Sequence, residues 1–231
     1  MIGTPSNMQA WYTERTFIQF IQIMTISNRI QGMAARREQL LGAALHCFVV
    51  KGFHQTSMRD IATQAGVSLG SLYNHFESKS ALIAEIAQME STELAPLEAQ
   101  LTKQCGRSGL LRFARDYAAL HQDSARLMLG AEVLSELLRH PELATPFLVT
   151  RHRLVQALAA ALEHARAEGE LAQGMAAPDL AGLLLDAIEG RCFMDALAMG
   201  QTPAMRTGGP LSKLFEALLA PAVKGRAPKR A

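Results

Sequence analysis

The sequence predicts an all-α chain of about nine helices after Met33, a small N-terminal helix-turn-helix domain followed by a larger helical domain. Three observations carry this expectation. From Arg36 onward no run alternates apolar and polar residues strictly enough for a half-buried strand. Apolar residues instead recur at helical spacing in long stretches, and the breaks between them hold Gly, Pro or Asp. Within residues 56–83, "TSMRDIATQAGVSLGSLYNHFESKSALI", two short helical periods flank a glycine turn.

The elements follow in order. Leu40, Leu41, Ala44, Cys47 and Phe48 form one stripe, and Gly52 supplies a left-handed stop onto which Phe53 can fold back. Ser57 then precedes the stripe Met58, Ile61, Ala62 and Ala65, and with Asp60 it makes a capping-box pattern. "AGVS" offers Gly66 for a positive-φ stop, Val67 as an apolar plug and Ser68 as the next N-cap. A second short helix spans residues 69–74, with Leu72 and Phe76 on its inner side. Leu82, Ile83, Ile86 and Met89 open the next helix, which Pro96 should kink or end early. Further helical periods cover residues 109–122, 124–140, 141–168, 178–200 and 211–219.

Bulk properties narrow the class. An apolar share of 49% and a mean hydropathy of +0.07 describe a soluble globular chain. The formal net charge of +2 is too small for a histone-like binder, so any nucleic-acid contact must come from a local patch. Cys47, Cys105 and Cys192 show neither metal-ligand spacing nor a disulfide framework, which fits a reducing, cytoplasmic setting. Each reads as a small buried apolar side chain. The alternative, a thiol-based redox sensor using Cys105 or Cys192, predicts that serine replacements abolish an oxidant response.

Residues 17–26, "FIQFIQIMTI", are apolar but too short to span a bilayer, and no secretory signal is evident. Residues 1–32 therefore read as an upstream extension with a possible non-native start, as a mobile arm, or as a packed helix. Residues 33–80 form the expected helix-turn-helix domain, 81–220 the larger helical domain and 221–231 a mobile basic tail. No G-x-S-x-G, phosphate loop, H-E-x-x-H or triad-like arrangement occurs, so an enzyme is not expected, nor a cofactor or metal.

A sharp three-to-four-residue turn forces the second helix to project one face outward. That face offers Ser68, Gly70, Ser71, Tyr73 and Asn74, groups suited to bases and phosphates. Tyr73 and His75 bring polar tips to the helix end, and Lys79 begins the next helix. Between Met33 and Ser80, five basic residues against three acidic ones leave the whole chain's excess of +2 in this segment. So few cations per subunit imply that two subunits act together on DNA.

The residues "ALHCFVVKGFHQTSMRDIATQAGVSLGSLYNHFESKSALI" closely resemble the DNA-binding domain of the TetR family of bacterial transcription regulators, in order and in spacing. The resemblance implies that residues 69–74 enter the major groove. It implies phosphate contacts from Thr56, Ser57, Tyr73, His75 and Lys79, with Ser68, Gly70, Ser71 and Asn74 nearest the base edges. Leu69 stands in a slot that is often polar or basic in the family, so a base contact there is not expected.

The rest of the chain follows the family's regulatory layout with less specific motifs. "APDLAGLLLDAIEGRCFMDALAMG" resembles the long helix that packs on its twin in a four-helix homodimer interface. Leu180, Leu183, Leu184, Ala187 and Gly190, with Leu214, Phe215 and Leu218 of the last helix, are the interface candidates. An effector pocket among the middle helices is implied too. Phe113, Tyr117, Met128, Glu132, Phe147, His152, Phe193 and Met194 are its candidate lining, being large, adaptable or polar within apolar stretches. The expected function is a homodimeric repressor that leaves a near-palindromic operator when a small molecule binds. An activator or effector-independent regulator of the same fold is the alternative.

Overall fold

The computed structural model describes residues 33–103, 106–121, 123–197 and 209–220. The N-terminal extension, the basic tail and Cys105 lie outside the described residues. Among them there are nine α-helices and no strand: α1 (Met33–Lys51), α2 (Met58–Gln64), α3 (Leu69–Tyr73), α4 (Lys79–Lys103), α5 (Arg107–Leu120), α6 (Ser124–Arg139), α7 (Thr145–Ala167), α8 (Ala177–Leu197) and α9 (Pro210–Leu218).

Two local expectations need correction. α4 runs through Pro96 to Lys103 instead of ending early, because Leu94, Leu97 and Leu101 are buried on either side and the exposed proline forfeits only one helical bond. The period over residues 141–168 is broken in two, since Pro141–Leu143 forms a single 3₁₀ turn before α7 begins at Thr145.

The chain divides into two compact units. The first comprises, among the described residues, 33–87 together with 125–144, and the second 88–121, 123–124, 145–197 and 209–220. The expected boundary at residue 80 thus falls inside α4, and α6 belongs with the N-terminal helices.

In the first unit, α2 packs on α1 and α3 on α2 around Leu40, Ala44, Leu45, Phe48, Ile61, Leu72, Phe76, Leu82 and Ile83. Burial of side chains this size, each worth about 1.5–3 kcal/mol, holds so small a domain together. Polar ties set its corners. Arg37 donates to His75 O at 3.0 Å and to Glu85 at 2.5 Å while its guanidinium covers the Phe76 ring at 4.4 Å. Lys51 bridges the end of α1 to Asp60 in α2 at 2.6 Å.

In the second unit, α7 and α8 pack along each other through Leu154, Leu158 and Leu162 on one side and Leu180, Leu184, Leu185 and Ile188 on the other. α5 lies against both, and α9 against α8. The start of α5 is closed from a distance. Gly106 takes φ +99 and carries no side-chain cap of its own, and the Glu170 carboxylate accepts the Arg107 N–H at 2.7 Å in its place. A Cβ at Gly106 would run into that carboxylate, so only glycine fits both the backbone and the cap. Arg107 Nε in turn donates to Leu219 O at 2.6 Å, fastening the end of α9.

Candidate nucleic-acid interface

The helix pair is built by its caps. Ser57 has extended backbone, accepts from Asp60 N through its hydroxyl, and donates its own backbone N–H to the Asp60 carboxylate, a complete capping box. The Lys51 ammonium and the Ser57 bonds hold the Asp60 carboxyl well below the usual carboxylate range. Gly66 at φ +65 reverses the chain, and Val67 N–H closes the turn onto Ala62 O at 2.9 Å. Ser68 caps α3 by accepting from Ser71 N at 3.1 Å.

α3 then divides cleanly. Leu72 is fully buried, whereas Ser68, Gly70, Tyr73 and Asn74 are exposed and Ser71 and His75 half-buried. Tyr73 is 47% exposed for all its ring area. Open space lies over Gly70, where a Cβ would meet nothing within 4 Å. Arg59 and Gln64 on α2 are exposed as well.

Two of the expected contacts are corrected. Thr56 is 1% exposed and its hydroxyl donates to Gly52 O at 2.8 Å and Cys47 O at 3.1 Å, so it anchors the turn before α2 from inside and has no face for a phosphate. Lys79 turns inward too: Nζ donates to Phe53 O at 2.7 Å and sits 4.5 Å from the Phe53 ring, and burial pulls its pKa down. It braces the start of α4 against the end of α1.

The effector candidates divide between the two units. Met128 and Glu132 lie on α6 in the first unit and the other six in the second. Glu132 is occupied, accepting the Phe53 N–H at 2.7 Å. Phe113 and Tyr117 are buried and stacked at 5.6 Å, Phe147 and Phe193 are half-buried, and His152 and Met194 are exposed. Sequence reading missed the polar partners of Tyr117, whose hydroxyl donates to Glu189 at 2.5 Å while Arg151 bridges Glu189 at 2.9 Å and Asp186 at 2.5 Å. Burial and the Glu189 charge raise the Tyr117 pKa well above its ordinary value, so the phenol stays a donor.

Of the dimer candidates, Leu180, Leu184 and Phe215 are buried within the second unit and serve its core, which removes them from any interface. Leu183, Leu214 and Leu218 are exposed, Ala187 half-buried and Gly190 exposed.

The described thiols are ill-suited to sensing. Cys47 and Cys192 are buried, and burial pushes the Cys192 thiol up to about 11. Iodoacetamide at neutral pH is expected to label neither in the native protein and both after unfolding, as read by peptide mass; native labelling of Cys192 would reopen the redox reading.

A cap, a glycine turn and a short helix with one small, hydroxyl-rich outer face define a helix-turn-helix DNA-binding module. The model for bacterial regulatory proteins of the tetR family matches residues 40–86, and the model for the AefR-like transcriptional repressor C-terminal domain matches residues 108–207. UidR, an HTH-type transcriptional regulator of Escherichia coli K12, is 29% identical over 152 residues, covering 65% of this chain and 76% of that protein. The HTH-type transcriptional repressor Rv1474c of Mycobacterium tuberculosis is 28% identical over 110 residues, 48% of this chain, and the match spans 55% of that protein's length. The solved structure of Salmonella enterica GusR superposes with a TM-score of 0.66 at 27% identity, over 83% of this chain and 99% of GusR. The chain belongs to the TetR family. Its class is a DNA-binding transcriptional regulator, not an enzyme.

Proposed function

We propose that the chain is a homodimeric, cytoplasmic repressor that binds a near-palindromic operator through α3 and is released by a small-molecule effector. The single observation that best supports the homodimer is the outer face of α8. Leu183, Ala187, Gly190, Met194 and Leu197 recur every three or four residues, and the large ones among them are exposed. Such spacing is that of a helix–helix seam. Leu214 and Leu218 add an exposed apolar edge on neighbouring α9. Two helices from each subunit would bury this surface together.

On the operator, Ser57, Tyr73 and His75 are assigned to the backbone, with Arg59 added, and Ser68, Gly70, Ser71 and Asn74 to the base edges. Paired half-sites lie about 34–36 Å apart, so a small change in the separation of two α3 helices breaks the match. The effector must prefer the DNA-incompetent state, by about 5.5 kcal/mol for a full population shift. The described residues hold no helix long and apolar enough to cross a membrane. Footprinting on the DNA upstream of the chain's own gene tests the reading: a protected, near-palindromic site that a candidate compound releases is expected. Protection that persists with every compound would favour the effector-independent alternative.

A further inference from the structure

The strongest cluster outside the DNA-facing surface lies where α6 meets the turn after α1, inside the first unit. Glu132, Glu136 and Arg139 occupy one edge of α6 at successive turns, and all three reach residues 53–54. Glu132 takes the Phe53 N–H, and Gly52 lies beside the same carboxylate. Arg139 Nη1 contacts His54 Nε2 and is steadied by Ser135 at 2.9 Å. The opposite side of the turn is held by Lys79, which donates to Phe53 O. This turn also sets the start of α2, because Gly52 O accepts from both Thr56 N and Thr56 Oγ1.

Glu136 does not fit a purely structural account. Its side chain is only 8% exposed, and Oε2 accepts no hydrogen bond. A buried carboxylate oxygen without a donor is costly. His54 Nε2 lies 3.2 Å from that oxygen, but a nitrogen that accepts from Arg139 has no proton to give. His140 Nε2 stands 3.5 Å from the other oxygen, and its Nδ1 faces Glu142 at 3.3 Å. The groups facing Glu136 are therefore His54 from the turn, Lys79 from α4, and Arg139, His140 and Glu132 from α6 and its end, with Glu142 behind His140.

We infer that His54 and Glu136 form a proton-operated latch between the DNA-binding helices and α6. With neutral His54, Arg139 donates to Nε2 and Glu136 Oε2 is left unpaired. When His54 takes up a proton, Nε2–H turns from acceptor to donor, releases Arg139 and closes on Glu136 Oε2. The ring has only to reorient over the 3.2 Å that separates the two atoms. The gain exists while His54 carries the second proton and is lost with that proton. What the latch tightens is the turn that positions α2, and through α2 the reading helix.

Amide hydrogen exchange on the full chain tests this, with intrinsic rates corrected at each pH. Protection of the Phe53 amide is expected to rise about tenfold between pH 8 and pH 5.5, the equivalent of one new charge-assisted bond. His54→Asn, a change at an exposed side chain, should abolish that rise, and Glu136→Gln should do the same. His140→Asn should leave most of it. A pH-independent amide, an unaltered rise in His54→Asn, or a rise lost only in His140→Asn would each overturn the assignment. Should Glu136→Gln fail to fold, nitrogen-15 spectra of His54 in the wild type decide: Nε2 unprotonated at pH 8 and protonated at pH 5.5 is required. Neither measurement needs an operator or an effector, so a negative result leaves the DNA-binding reading intact.

Discussion

Tyr73→Ala is expected to weaken operator binding by more than about tenfold while leaving helicity and oligomeric state unchanged. Tyr73 closes α3 on its outer side, whereas the adjacent Leu72 supplies the buried face. The ring can therefore be removed without opening the core. A phenol on a phosphate oxygen is a hydrogen bond to a charged group, worth about 1.5–3 kcal/mol, and a dimer makes it twice. Titration of a labelled operator gives the affinity, and circular dichroism with sedimentation gives the controls. Wild-type affinity in a folded variant would remove Tyr73 from the contact set.

The second large effect concerns the seam on α8. Leu183→Glu and Met194→Glu change residues that are 52% and 60% exposed, so a lone subunit loses little core packing. Across a twofold interface each charge would face an apolar surface and be met by its own copy. The dimer dissociation constant should rise at least about a hundredfold, and affinity for the full site should fall toward that of a half-site, a loss on the order of 10²–10⁴. Sedimentation equilibrium and footprinting on full and half sites measure both. Unchanged sedimentation would move the interface to another face.

Much of the architecture was legible because it is local. Ser57 with Asp60, Gly66, Ser68 and Gly52 with Phe53 are signals within a few residues of one another, and each forms the cap or stop its chemistry implies. What was not legible depends on partners far away in the chain. Thr56 looks like a surface hydroxyl until Gly52 O and Cys47 O are brought around it. Glu132 looks like a polar residue in an apolar helix, but its partner Phe53 N–H lies 79 positions earlier. The apolar pattern of α8 does not by itself separate Leu184, which is core, from Leu183, which is not, because the helix is apolar nearly all round. α4 continues past Pro96 for a related reason: flanking burial overrode a local preference to stop.

The fastening of Arg107 to Leu219 bears on how the protein is made. The two residues are 112 positions apart, and between them Glu170 supplies the cap that α5 lacks. Domains generally fold as units while the chain is still being synthesised, N-terminal ones first. Here α1 to α3 can assemble early. The second unit cannot finish until the ribosome has delivered α9. A nascent chain stopped short of Leu219 would carry a started but unfastened regulatory unit, with its apolar α8 surface uncovered on one side.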